Sequence, residues 1–362
     1  MLDGVSDTGL ARRPGPAASI PALFHQPDWF LDGLDTARGL AQFVHTSREA
    51  LSEAVFLDPD WDQSGMERRI APFSALRSFR GGGEPPAAIW HSAFCCSTLI
   101  ASCLDVPGVV LALKEPKGLV HLSTAVRRGH ETVDDPLVAT AWALMGRRFA
   151  PRERILVKPS NGANALIPQT AAAGGPTLLL YSSCRDFLAS IAGGGPASGG
   201  SEARRRHVRN LMAERVVEGR PELRWRPVDL VGLTDLQLAA LLWHVQMAEF
   251  RAVAKAPAPR RVRSLNCEVF LADPQPTLEA LDAFLTLGLG AERIARIVAG
   301  PKLSRYAKQP ARAFDAGQRR ERLRSAEIAL GATLDALVAW SYQACPETPL
   351  GDPVGAPLIG SG

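Results

Sequence analysis

The chain has 362 residues, 46% of them hydrophobic and 22% charged, with a formal net charge of +4. That length is enough to bury a full core, and that small charge argues against bulk nucleic-acid binding. Six cysteines spread over it are not a dense disulfide framework, and no Cys-x-x-Cys pair or His-rich cluster suggests a metal. No apolar run reaches about 18 residues, so no membrane span is expected.

Residues 1–20 carry Gly, Pro and Ser and are expected to be disordered. No apolar stretch follows Arg12-Arg13, which argues against a secretion signal and, with the cysteine usage, for a reducing cytoplasm. From 21 to 80 come Trp29, Phe30, Phe43, Phe56, Trp61 and Phe73, read as a helical N-terminal layer with an edge element. Gly81-Gly82-Gly83-Glu84-Pro85-Pro86 then breaks the chain.

After the breaker the pattern becomes specific. Ala87 to His91 reads as a short apolar strand, Ser92 to Cys96 as a tight loop of mostly small residues, and Ser97-Thr98 as the opening of an apolar helix to Leu104. A second strand, Val109 to Leu113, ends in Lys114-Glu115-Pro116. A loop feeding a helix N-terminus presents backbone N–H groups and the positive end of the helix dipole, which suits a phosphate. The Lys of the G-x-x-x-x-G-K-[ST] motif is missing, which speaks against ATP hydrolysis and against a nucleotide kinase.

Further strands are predicted at Arg154 to Lys158 and Thr177 to Tyr181, with a helical stretch over 161–173 between them. Asn161 is read as that stretch's cap. Arg185 opens the next helix, and the glycine-rich run 193–200 is either a lid over the site or a plain surface insertion. The basic run Arg204 to Arg209 reads as a solvated helix start, with contact to an anionic ligand as the alternative. Thr234 and Gln237 make a capping box for a helix over 234–250, Thr277 is the expected cap of the next, and a long helix is expected over 316–343. Residues 346–362 are expected to be disordered, leaving one domain over 21–345 with its core at 87–310 and a C-terminal helix at 311–345.

Strands alternating with helices imply an α/β fold, three layers with a mainly parallel central sheet. Ligands of such sheets lie at the carboxyl ends of strands. The loop before Ser97, Glu115, Lys158 and Arg185 all fall at or just past strand ends, so they are expected to share one site.

In order and spacing, these segments resemble the sulfotransferases that use 3'-phosphoadenosine 5'-phosphosulfate (PAPS), a family with a P-loop-like fold. The resemblance spans residues 87 to 310 with gaps, and includes Arg263 to Glu268 and Asp273 to Leu285, whose part in that family is fold support. The family's phosphosulfate loop, Pro-Arg/Lys-Ser-Gly-Thr-Thr, corresponds here to Ala93-Phe94-Cys95-Cys96-Ser97-Thr98, with Phe94 in place of the basic residue and Cys96 in place of the glycine. The resemblance implies that Cys96, Ser97 and Thr98 hold the 5'-phosphate. It makes Glu115 the general base and Lys158 the group stabilising the transferring sulfuryl, with His121 as the alternative base. Arg185 and Ser190 would hold the 3'-phosphate, although Ser182 stands where the family has its first Arg. Arg305 and Lys308 would supply the missing charge.

The implied activity is sulfuryl transfer from PAPS, without a metal, to a hydroxyl of a small-molecule, glycan or peptide acceptor. The acceptor pocket would come from 119–142 and 203–250, where Trp142, Trp225 and Trp243 are read as core. The rival is a non-catalytic or repurposed protein of this fold that binds another anionic ligand or a protein partner.

Overall fold

The computed structural model describes residues 20–79, 84–193, 202–219, 225–256, 261–304 and 316–360. Its first part holds helix α1 (Ile20–His25), strands β1 (Trp29–Asp35) and β2 (Leu40–His45), α2 (Arg48–Glu53), β3 (Arg68–Pro72) and α3 (Phe73–Ser78). The second runs β4 (Ala87–His91), α4 (Ser97–Leu104), β5 (Val110–Lys114), α5 (Lys117–Arg127), α6 (Asp135–Met145) and β6 (Arg154–Lys158). A 3-10 turn (Asn161–Leu166) leads into α7 (Ile167–Ala172), then β7 (Thr177–Tyr181), α8 (Cys184–Ala192), α9 (Glu202–Gly219) and α10 (Asp235–Lys255). β8 (Val262–Asn266), α11 (Cys267–Ala272), α12 (Pro274–Leu285), α13 (Ala291–Ala299), α14 (Pro301–Ser304) and α15 (Ala316–Ala344) complete the order.

The central sheet is fully parallel, in the order β5-β6-β4-β7-β8. Its strands are buried on both faces, and their side chains alternate between two separate cores. Trp90, Leu111, Leu113, Val157 and Leu179 face one core, with α5 to α10, α15 and the N-terminal sheet. Ile89, Val110, Ala112, Leu156 and Leu178 face the other, with α4 and α11 to α13. This is the three-layer α/β arrangement that the alternating pattern implies. The connections run from β4 outward to β5 on one side and to β7 and β8 on the other, so β4 lies at the point where strand order reverses.

Three features differ from expectation. The segment before residue 80 combines a three-stranded antiparallel sheet, β1-β2-β3, with the short helices α1, α2 and α3, where a helical layer with one edge element is expected. Trp29, Phe30 and Phe43 lie on the strands, Phe56 and Trp61 between elements and Phe73 at the start of α3, and a pleated, half-buried surface accommodates aromatic residues as readily as a helix does. The helix α12 begins at Pro274 after Asp273, and Thr277 lies inside it with its hydroxyl donating to the Asp273 carbonyl at 2.8 Å. Residues 346–360 are ordered against the sheet: Ser264 N–H donates to Ala356 O at 2.8 Å and Leu358 N–H to Ser264 O at 2.7 Å. β8 is an edge strand, and its unpaired backbone groups recruit this tail.

Thr234 and Gln237 form the expected capping box on α10. One glycine is sterically required: a Cβ on Gly175 would sit 2.2 Å from the Pro86 carbonyl, where the chain entering β7 crosses the chain entering β4. No described helix is long and apolar enough to cross a membrane. None of the six cysteines is in a disulfide.

Candidate functional site

β4 ends at His91, and the next residues turn sharply into α4. Ala93, Phe94 and Cys96 all have left-handed backbone, with φ of 69°, 53° and 60°. Residues with a Cβ rarely adopt this region, and three within four positions concentrate strain at one turn. The turn is held from below. Ser92 N–H donates to Leu180 O at 3.1 Å, Ala93 N–H to His91 Nδ1 at 3.0 Å, and the Cys95 thiol to Leu180 O at 3.5 Å. Burial pushes the Cys95 thiol up to about 11, so it packs as a neutral group. Phe94 stacks edge-on against Phe187, with centroids 5.6 Å apart.

Cys96 is the N-cap of α4 and offers no side-chain cap. The first N–H groups of a helix lack intrahelical partners. The Ser97 and Thr98 side chains are nearly buried, and neither makes a hydrogen bond among the described residues. A strained turn, an uncapped helix start and two spare hydroxyls lie together at the carboxyl end of β4.

The neighbouring strand ends contribute charge. Glu115 follows β5 with φ of 57°, and its N–H donates to Lys158 O at 2.7 Å. Its carboxylate pairs with the Lys158 ammonium, which is wholly buried and lies 5.3 Å from the centre of the Phe56 ring. Lys114 and Lys117, close to Glu115 in the chain, point elsewhere: Lys114 donates to Ser52 O at 2.6 Å and Lys117 pairs with Asp32 at 2.9 Å. Past β7, Ser182 O accepts from Trp243 Nε1 at 2.9 Å. Past β8, the Cys267 thiol contacts Cys96, and this hydrogen bond and burial hold it well above its usual range.

Arg185 lies on α8 and is engaged by α15. It donates to Glu327 Oε1 at 2.6 Å and to Asp335 Oδ1 at 2.9 Å, and these carboxylates raise its already high pKa. The Asp186 carboxylate accepts from the Ser183 hydroxyl at 2.7 Å and not from Arg185, which this long-range clamp engages. The Ser190 hydroxyl donates to Asp186 O at 2.7 Å.

His121 stands away from this crevice. Its Nδ1 accepts from Leu34 N–H at 3.1 Å, and burial lowers its pKa. Ser160, not Asn161, caps the 3-10 turn, accepting from Gly162 N–H at 3.4 Å, while Asn161 donates to Gln246 at 3.4 Å. Trp142 and Trp243 are core residues and Trp225 is partly buried against them. Arg305, Lys308 and the run 194–200 lie outside the described residues. The residues that sequence reading missed are Cys267, Glu327 and Asp335. Cys267 had a signal, as the first residue after a strand end, whereas Glu327 and Asp335 carried none within a helix they share with many charged residues. No group of three or more His, Cys, Asp or Glu that could hold a metal occurs among the described residues.

No family model and no curated protein matches the chain. Among solved structures, the sulfotransferase domain from the curacin biosynthetic pathway aligns with a TM-score of 0.37 at 12% identity, over 69% of this chain and 99% of that one.

Proposed function

We propose that this chain transfers a sulfuryl group from PAPS to a hydroxyl of a small-molecule, glycan or peptide acceptor. The observation that carries the reading is the strained turn Ala93–Cys96 opening onto the uncapped start of α4, at the same edge of the sheet as the Glu115–Lys158 pair. Turn amides and a helix N-terminus favour a phosphate there, and the spare hydroxyls of Ser97 and Thr98 would donate to its oxygens.

In this reading Glu115 accepts the proton of the acceptor hydroxyl as that oxygen bonds to sulfur. The bond from sulfur to the phosphate oxygen breaks, its electron pair stays on the phosphate, and Lys158 donates to that oxygen as charge develops. The buried ammonium and the turn amides supply the positive field. The preformed pair also holds both groups in position before substrate arrives.

The 5'-phosphate end fits the residues present better than the 3'-phosphate end. Arg185 and Ser190 would hold the 3'-phosphate only after Glu327 and Asp335 release the guanidinium and the Ser190 hydroxyl leaves Asp186 O. Arg305 and Lys308 belong to the same reading as further sources of charge. The clamp on Arg185 favours a second reading, in which the cradle takes a smaller anion or the fold serves a protein partner.

Calorimetry separates the two. Micromolar binding of 3'-phosphoadenosine 5'-phosphate that adenosine 5'-phosphate and magnesium-ATP do not match supports sulfuryl transfer. Absence of binding by all three overturns it and leaves the second reading.

A further inference from the structure

The amino ends of the same strands hold a separate feature. A cavity of about 420 Å³ opens there, and its lining includes Glu84, Pro86, Arg148, Arg154, Arg261 and Leu287. Arg154 begins β6 and Lys158 ends it, so roughly 13 Å of strand separates this cavity from the crevice described above. No residue is shared between the two.

Charge in the cavity is unbalanced. Arg148 and Arg154 both donate to the same oxygen of Glu84. Arg261 makes no ion pair among the described residues. Among the described residues Glu84 is the only acidic one in the lining, so three guanidinium groups face one carboxylate. That leaves an excess of two positive charges in a concave space of the size that small-molecule sites have.

The backbone around the cavity packs closely. Pro85 and Pro86 fix one side, and Gly146 packs so closely that a Cβ there would sit 3.0 Å from the Glu84 carbonyl. On the far side Thr286 has φ of 55°, an outlying conformation for a β-branched residue, with its hydroxyl donating to Leu285 O at 2.7 Å.

We infer that this cavity is an anion site for a small phosphate monoester. Two converging guanidinium forks match phosphate oxygens bidentately, and the Glu84 carboxylate occupies the seat such oxygens would take. A phosphate monoester carries about −1.5 to −2 charges near neutral pH, which matches the excess. Pro86, Leu285 and Leu287 offer apolar contact to the carbon body of the ester. The volume suits a small metabolite.

Calorimetry on the full chain at low ionic strength tests this, with glycerol 3-phosphate, inorganic phosphate and succinate as probes. The expected result is saturable binding of glycerol 3-phosphate, weaker binding of inorganic phosphate, and a loss of about tenfold in Arg261→Ala and in Arg154→Ala. Glu84→Gln weakens the built-in competitor and is expected to tighten binding several-fold, a gain that neither misfolding nor a purely structural ion pair produces. Three outcomes overturn the inference. The first is no saturable binding by either the wild type or Glu84→Gln at millimolar probe. The second is succinate binding as tightly as glycerol 3-phosphate. The third is binding that survives Arg261→Ala and disappears in Ser97→Ala, which assigns the anion to the cradle.

Discussion

Lys158 and Glu115 are joined twice across the ends of β6 and β5, by the ion pair of their side chains and by the 2.7 Å bond from Glu115 N–H to Lys158 O. The two partners are unequally buried. The Lys158 side chain is 0% exposed and that of Glu115 is 20% exposed. Removing the carboxylate therefore takes an opposite charge away from a wholly buried ammonium, whereas removing the ammonium leaves a carboxylate that reaches water. Glu115→Gln is expected to cost about 3 kcal/mol and Lys158→Met clearly less, because losing a partner costs a buried charge more than a hydrated one. Urea unfolding of the two single variants and the double variant checks the order. Equal losses would show that burial does not set the energetics of this pair.

Cys96 has φ of 60° and ψ of 17°, a conformation that glycine adopts without strain. Cys96→Gly is expected to stabilise the fold by about 1 kcal/mol, the cost of left-handed backbone for a residue with a Cβ. The adjacent Cys95 is wholly buried and is not among the positive-φ residues, so Cys95→Gly is expected to destabilise. Chemical denaturation of the pair gives opposite signs if the turn is strained as described.

His244 lies on α10 with its Nε2 2.9 Å from the Ser341 hydroxyl, and burial lowers its pKa to about 4. The unfolded chain takes up a proton near pH 6.5 while the folded chain resists until near pH 4. The stability that neutral His244 contributes is therefore complete above about pH 6.5 and is lost as pH falls toward 4. Full loss would amount to about 3 kcal/mol. Unfolding free energies of the wild type and His244→Gln at several pH values check this, with the variant expected to show the shallower fall over that interval.

The clamp on Arg185 gives a prediction that separates stability from binding. Glu327 and Asp335 are 46% and 67% exposed, so their pairs with Arg185 are worth little to the fold. Glu327→Gln with Asp335→Asn is expected to change stability by less than about 1 kcal/mol. If Arg185 holds a 3'-phosphate, the same double variant binds 3'-phosphoadenosine 5'-phosphate more tightly than the wild type. Unchanged affinity would remove Arg185 from the site.

Much of the core was legible in the sequence because short-range chemistry wrote it. The apolar strand, mostly small-residue loop and Ser-Thr helix start over 87–104 need only local periodicity and local capping, and so does the box Thr234–Gln237 on α10. Strand ends are local too, and in a parallel sheet they all point to one edge. That is why Ser97, Glu115 and Lys158 could be grouped before any contact was known.

The tertiary structure decided what depends on distant partners. Arg185 meets residues 142 and 150 positions away on α15, and no local pattern distinguishes those two acids from their neighbours. The tail over 346–360 has the composition of a disordered end, yet the open edge of β8 gives its backbone a place to bond. Trp29, Phe30 and Phe43 fit a strand as well as a helix, and packing within the folded chain chose the strand. The sequence by itself determined the order of strands and helices and the residues at the strand ends, because side-chain periodicity and capping act over a few residues. Only the tertiary structure decided which charges meet, since that depends on which faces the folded chain brings together.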